Sequence, residues 1–390
     1  MKPFLGRLLV VVSAAILVCG AYFANPPDTK AAEANPINVG VCMDFSGPTA
    51  QDGLQEFPAF EMAVKEKNAA GGINGRPIKL SILDNSGDPT KTTGALKVLK
   101  DINKVSVVYY GINSVGALAA KTWAEQNGIA VIATTPMSDR LIQEQGKAWF
   151  FRTQFTNTEA ARGFLMQAKK MGFKKIGLQI TTQAFGTDLE TVLKKHLDEF
   201  GLDLVGVARC EPDSKDLTIQ ATRLRATNPD VVIHQDYPAE QAVFARALKT
   251  IGWNVPCIAQ AVIINMTLTL APPELFEGWT VFSIYDRDKP GVKALWDKYE
   301  TYTKKRNEND LSLRGWDTAQ ILFEILRLSD NPDNPEAIRD AFYKVKNFPM
   351  VTGQRGAVCN FEIGRNYVLS AKDFVWNTVK AGKVVPIATK

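Results

Sequence analysis

Histidine is nearly absent: His196 and His234 are the only two in the chain. Neither stands in an H-E-x-x-H spacing, and no C-x-x-C occurs, so zinc, thioredoxin-like and metalloprotease chemistry lack their ligands. Also missing are the phosphate loop G-x-x-x-x-G-K-[ST], the dinucleotide fingerprint G-x-G-x-x-G and the nucleophile elbow G-x-S-x-G. His196 follows Lys194 and Lys195 and reads as a solvent-facing helix residue. His234 ends an apolar strand, where a core or site-edge imidazole is expected rather than a catalytic base. Asp286 and Asp288 flank Arg287 and read as a salt-bridged turn. No nucleophile stands with a recognisable base, so no enzyme, metal or cofactor is expected.

One-sided charge is missing too. The net charge of +5 comes from 46 basic and 41 acidic residues, closely interspersed: Lys304-Lys305-Arg306 is followed by Glu308 and Asp310. A nucleic-acid binder concentrates its positive charge on one stripe, so no nucleic-acid partner is expected. Long apolar runs are confined to the N-terminus. Lys2 and Arg7 precede the uncharged stretch Leu8–Ala24, and Asn25-Pro26-Pro27-Asp28 follows. That is the pattern of a secretory signal, with an uncleaved anchor as the alternative because the stretch is barely long enough to span a bilayer. Cleavage fits after Ala21 or around Ala32-Glu33-Ala34; Val18 is bulky for a lipoprotein site at Cys19. Residues 1–34 are read as signal and linker, and the rest as an exported body. Cys42, Cys210, Cys257 and Cys359 are widely spaced, and buried free thiols are the plainer reading beside disulfides.

From Asn35 the chain alternates short apolar runs with helical patterns. Strands are expected at Ile37–Met43, Ile78–Leu83, Val105–Tyr110 and Ile129–Ala133, with helices at Phe57–Ala70, Lys91–Asn103 and Val115–Asn127. Pro58 is assigned to the first turn of its helix. A second series runs from Thr158–Met171 to Val255–Ala259, again helix and strand by turns. Alternation of this kind means parallel strands with right-handed crossovers, and the number of units calls for two sheets. The tail has helices at Gly291–Lys305, Gly315–Ser329 and Pro335–Val345, then a hairpin through Ala381-Gly382. The fold class is α/β, with two doubly wound lobes.

Open α/β sheets bind ligands at the carboxyl ends of their strands. There the sequence places Gly111-Ile-Asn-Ser-Val-Gly116 before a helix that Ser114 can cap, a position suited to a carboxylate. Thr134-Thr-Pro-Met-Ser138 forms a second polar loop on the same edge. Helix capping alone accounts for both loops without any ligand.

At these residues the sequence resembles the periplasmic branched-chain amino-acid binding proteins, the type 1 solute-binding receptors of ABC importers. The resemblance rests on Ile37-Asn-Val-Gly-Val, Phe45-Ser-Gly-Pro48 with Gln51-Asp-Gly53, and Asn68-Ala-Ala-Gly-Gly-Ile-Asn-Gly75. It continues through Asp84-Asn-Ser-Gly-Asp-Pro89, the Ser114 and Thr134–Ser138 loops, and Arg314-Gly-Trp-Asp-Thr-Ala319. It implies two lobes joined by three crossings, divided as residues 35–156 plus 284–352 and residues 157–283 plus 353–390. A ligand would sit in the cleft and be enclosed by hinge closure. Carried over position by position, Ser114 and the backbone near Thr135 would hold a carboxylate with Ser138 nearby, and Phe185, Tyr237 and Trp316 would wall the cleft, with core packing the alternative for Phe185 and Trp316.

Two departures stand out: Asp52 stands where family members that bind leucine often carry an aromatic residue, and the other concerns the ligand ammonium. Family members that bind amino acids carry an acidic residue after the last strand of the second lobe, and Ala261 stands there. An unpartnered buried ammonium is costly. Either Asp236 or Asp52 replaces that carboxylate, or the ligand has no α-amino group. The resemblance further implies a periplasmic monomer, a small amino acid or carboxylate as ligand, ABC permease subunits as partners, and no cofactor. A sensory binding protein that serves a receptor is the alternative role.

Overall fold

The computed structural model describes residues 35–306 and 308–387. The expected signal segment, with its cleavage and anchoring alternatives, lies outside the described residues. Among those residues no helix is long and apolar enough to cross a membrane.

The first stretch runs β1 (Ile37–Met43), α1 (Ala50–Ala69), β2 (Ile78–Asp84), α2 (Pro89–Asp101), β3 (Val107–Tyr110), α3 (Ser114–Asn127), β4 (Ala130–Ala133) and β5 (Phe150–Arg152). These strands make a parallel sheet in the order β2-β1-β3-β4-β5. Every residue of β3 and β4 is buried. That burial explains why they read as unbroken apolar runs: helices cover both faces of a parallel sheet.

The second stretch runs α4 (Asn157–Lys170), β6 (Lys175–Thr181), α5 (Ala184–Phe200), β7 (Asp203–Cys210), α6 (Thr218–Ala226), β8 (Val231–Gln235), α7 (Pro238–Thr250), β9 (Cys257–Gln260), α8 (Ala261–Thr267) and β10 (Thr280–Ser283). The tail holds α9 (Val292–Thr303), α10 (Asp310–Leu328), α11 (Pro335–Phe342), the short ribbon β11 (Phe348–Pro349) with β12 (Val358–Cys359), and the hairpin β13 (Val375–Lys380) with β14 (Lys383–Pro386). The second sheet has the order β14-β13-β10-β9-β8-β6-β7, with the hairpin antiparallel at one edge. The fold is the expected α/β pair of doubly wound lobes.

The chain leaves the first sheet after β5 and returns after β10, where α10 packs along α1. Its last passage is pinned on the first side. Asn366 donates to the carbonyls of Leu141 and Phe150, and Phe361 packs edge-on against Phe151. Asp317 anchors the same region by accepting the N–H groups of Val351 and Thr352 and the Thr352 hydroxyl, at 2.9, 2.7 and 2.6 Å.

Two helix starts differ from the sequence reading, and both differences shape the site. Helix α1 begins at Ala50, not Phe57, so Pro58 lies inside it. Helix α10 begins at Asp310, not Gly315: the Asn309 side chain caps it by accepting the Leu311 N–H, and Arg314 pairs with Asp310 one turn back. Gly116 keeps its small size for a packing reason, since a Cβ there would meet the Tyr110 hydroxyl at 2.3 Å. Strands β5 and β10 and the short α8 were not foreseen. Cys42, Cys210, Cys257 and Cys359 are all free and buried. Asp286 pairs with Arg355, and Arg287 with Glu308.

Candidate functional site

Between the carboxyl edges of the two sheets lies a cavity lined by residues from both. Its walls are helix beginnings. Thr49 stands just before α1 and Asp52 lies in its first turn; Asn113 caps α3 and Ser114 is its first residue. Phe185 is the second residue of α5, Tyr237 precedes α7, and Leu311 and Arg314 belong to the start of α10. Gln260 and Ile263 come from the start of the short α8. Five long helices therefore aim their N-termini at one space. Their unpaired N–H groups and dipole ends make that space favourable for an anion.

Asn113, not Ser114, caps α3: its side chain accepts the Gly116 N–H at 2.8 Å and donates to Asp44 at 2.6 Å. The Ser114 hydroxyl oxygen is left to accept the N–H groups of Met137 and Ser138, at 3.2 and 3.3 Å. This ties the second polar loop to α3 and leaves the hydroxyl hydrogen for an acceptor in the cavity. Thr135 donates to Glu56 at 2.8 Å and accepts from Arg314 Nη1 at 3.5 Å. Glu56 is buried under this floor and also accepts from Tyr109 at 2.5 Å and from Thr134. Burial pushes its carboxyl above the ordinary range, and the three hydroxyl donors pull it back.

Asp52 and Arg314 are the two charged side chains in the lining. The Arg314 guanidinium is buried and gives Nε and Nη2 to Asp310, at 3.2 and 2.7 Å. Asp52 has no such partner, and its carboxylate makes no hydrogen bond among the described residues. Enclosure in the cavity pushes its pKa up to about 7; Arg314 acts against that rise, while Glu56, Asp44 and Asp310 add to it. On the opposite wall Phe185 and Tyr237 stack, with centroids 5.4 Å apart and planes 20° from parallel. Tyr237 donates to Gln183 at 3.1 Å.

Of the residues singled out from the sequence, Asp52, Ser114, Thr135, Phe185 and Tyr237 meet in this lining. Ser138, Asp236, Ala261 and Trp316 do not. Ser138 is buried beside the cavity, where its hydroxyl donates to Asp188 on α5. Asp236 follows β8 with its side chain on the face away from the cavity, where Gln241 donates to it at 3.2 Å and His234 lies 3.8 Å off. Ala261 packs into the core around α7, and the cavity position belongs to Gln260 one residue earlier. Gln260 is fixed by donating to Gln235 at 2.7 Å. Trp316 sits beyond the first turn of α10, with the Lys298 ammonium 4.7 Å from its ring. Arg314 and Leu311 were not foreseen as site residues because the helix was started too late; the Asn309-Asp310 cap was the available signal.

The family model described as periplasmic binding protein matches residues 36–364. A Leu/Ile/Val-binding protein of Escherichia coli is 25% identical over 342 residues, covering 85% of this chain and 90% of that protein. One from Rhizobium johnstonii is 23% identical over 354 residues, covering 90% and 93%. Among solved structures, a type 1 periplasmic binding protein from Bordetella pertussis superposes with a TM-score of 0.81 at 22% identity, over 90% of this chain and all of that one. The branched-chain amino acid transporter substrate binding protein LivJ of Streptococcus pneumoniae, in complex with isoleucine, gives 0.77 at 18% identity, covering 90% and 98%.

Proposed function

This chain belongs to the periplasmic binding protein family, and from that premise we propose that it is the extracytoplasmic solute-binding component of an ABC importer. It captures an amino acid or a related small carboxylate between its lobes and presents the closed form to permease subunits. The observation that carries this reading is the convergence of five long helix N-termini on one cavity floored by Ser114 and Thr135. A ligand carboxylate there takes the free Ser114 hydroxyl hydrogen and the dipole end of α3, while Phe185 and Tyr237 cover its apolar part. The moving bodies are residues 35–156 plus 284–352 and residues 157–283 plus 353–390, except that the stretch around Phe361 and Asn366, held on Phe151, Leu141 and Phe150, moves with the first. The relatives named for leucine, isoleucine and valine make branched-chain amino acids the first ligands to test.

One observation favours a second reading. The wall formed by Phe185, Tyr237, Gln260 and Ile263 contains no carboxylate, and a ligand without an amine needs none.

Both readings meet in one experiment. The purified protein is stripped of carried-over ligand by unfolding and refolding, then melted with single amino acids or aliphatic and aromatic carboxylates. A true ligand at a hundredfold excess over its Kd adds about 2.7 kcal/mol of stability. Ser114→Ala lowers affinity for that ligand by about tenfold to a hundredfold, the value of a hydrogen bond to a charged group. Failure of every small carboxylate, with or without an amine, overturns the reading.

A further inference from the structure

We propose that Asp52, on the first lobe, is the group that binds a protonated amine of the ligand, so that one lobe holds both charged ends of the solute and the second closes over them with aromatic, aliphatic and amide groups. This rests on the solute-binding reading above and names the ligand class as an amino acid rather than a simple carboxylate.

The pairing of the neighbouring charges carries the assignment. Asp52 has three carboxylates near it, Asp44, Glu56 and Asp310, and one guanidinium, that of Arg314. Asp44 accepts from Thr49 and Asn113 at 2.5 and 2.6 Å. Glu56 accepts from Tyr109, Thr134 and Thr135. Asp310 takes both Nε and Nη2 of Arg314. Asp52 alone has no donor, and it is the one that lines the cavity. An enclosed carboxylate without a counterion is unfavourable, and a ligand ammonium supplies the missing partner. Asp236, the other acidic residue that could serve, points to the far face of its sheet.

The opposite wall fits the remainder of such a ligand. Gln260 is fastened to Gln235, Tyr237 to Gln183, and Phe185 stacks on Tyr237, leaving flat apolar faces and no charge. At the first-lobe end, the free Ser114 hydroxyl hydrogen and Arg314 Nη1 are the donors that face a carboxylate.

The assignment has a chemical consequence. With the cavity empty, the groups facing Asp52 are Glu56 on its own helix, Asp44 after β1, Asp310 and Arg314 on α10, and Tyr237 across the cleft. Burial first, and then the three acidic neighbours against Arg314, push the Asp52 pKa up to about 7. Binding an ammonium requires the ionised form, so capture releases a proton: about one per ligand at pH 6 and almost none at pH 8. Affinity falls toward tenfold per unit as the pH drops below 7 and levels off above it.

The test pairs each proteinogenic amino acid with its keto analogue, which keeps the carboxylate and side chain but has no ammonium. Titration calorimetry in two buffers of different ionisation heat, at pH 6 and pH 8, counts the protons released. One amino acid is expected to bind about a hundredfold more tightly than its keto analogue, with the stated proton release. Asp52→Asn is expected to lose that preference and the pH dependence while keeping the keto analogue; melting of the ligand-free variant checks its fold. If the keto analogue binds as well as the amino acid, or if wild-type capture releases no proton at pH 6, the Asp52 assignment is overturned and the solute-binding reading stands. If neither class binds, both are overturned together.

Discussion

At the scale of single residues, the site is built from groups that the fold would be more stable without. Asp52 has an unfolded-state pKa near 3.8 and a folded value of about 7 in the empty cavity. A folded value above the unfolded one means that the folded state holds the proton more tightly. Its stabilising contribution is therefore complete below pH 3.8 and is lost as the pH rises toward 7, with little further change above. Asp52→Asn is accordingly expected to raise the ligand-free stability at pH 8 by roughly 1–3 kcal/mol, a range that allows for partial solvent screening. The gain should shrink toward pH 4, and melting curves across this range measure it. An unchanged or lowered stability at pH 8 would mean that Asp52 already has a partner. The same scale shows why some site residues were legible in the sequence. Asp52, Ser114, Thr135, Phe185 and Tyr237 sit where a strand ends and a polar loop enters a helix, a place visible in the residue pattern alone. Asp236 and Ala261 stand outside the lining because one position past the end of a strand turns a side chain to the other face. Gln235 and Gln260 are bonded to each other on the cavity side, while their immediate neighbours point into the opposite core.

At the scale of elements, the crossing of α1 and α10 sets the floor of the cavity. A Cβ on Gly315 would stand 2.2 Å from the Glu56 carbonyl oxygen, so the two helix backbones touch there. Asp52 lies one turn from that contact on α1, and Arg314 is the residue next to Gly315 on α10. Gly315→Ala must push the helices apart, at a cost of about 1–3 kcal/mol. It should also weaken ligand binding, because Glu56 and Arg314 both reach Thr135 from this crossing. Chemical denaturation and ligand titration of the same variant test the two effects, and a variant as stable as wild type would show that the crossing has slack. Most elements were readable because parallel strands buried on both faces leave unbroken apolar runs between capped helices. The two late helix starts arose at positions where strong local signals compete. Pro58 and Gly315 resemble boundaries, yet tertiary packing accommodates both inside helices. With α10 started at Gly315, Trp316 took the place in the first turn that belongs to Leu311 and Arg314.

At the scale of the whole molecule, the proposed capture turns on an equilibrium between separated and apposed lobes, and two contacts between the two sheets' loops bear on it, one beside the cavity lining and one within it. Ser138, in the loop after β4, donates to Asp188 on α5, so the two lobes are bonded directly beside the cavity. Gln260 Nε2 meets the Met137 sulfur at 3.6 Å from the other side. Ser138 does not line the cavity, so its removal acts on closure and not on ligand contacts. The apparent affinity of such a protein is its intrinsic affinity multiplied by the fraction of molecules able to close. Ser138→Ala removes one hydrogen bond to a carboxylate and is expected to weaken binding by up to roughly tenfold to a hundredfold. The loss should appear as faster ligand release, with the proton count on binding unchanged. Small-angle scattering supplies the geometric readout: the ligand-free variant expands relative to wild type, and saturating ligand returns both to the same radius. If Ser138→Ala instead abolished the amino-acid preference or the proton release, Ser138 would have to act on the ligand itself, and the separation between a charged first-lobe site and an uncharged closing wall would not hold.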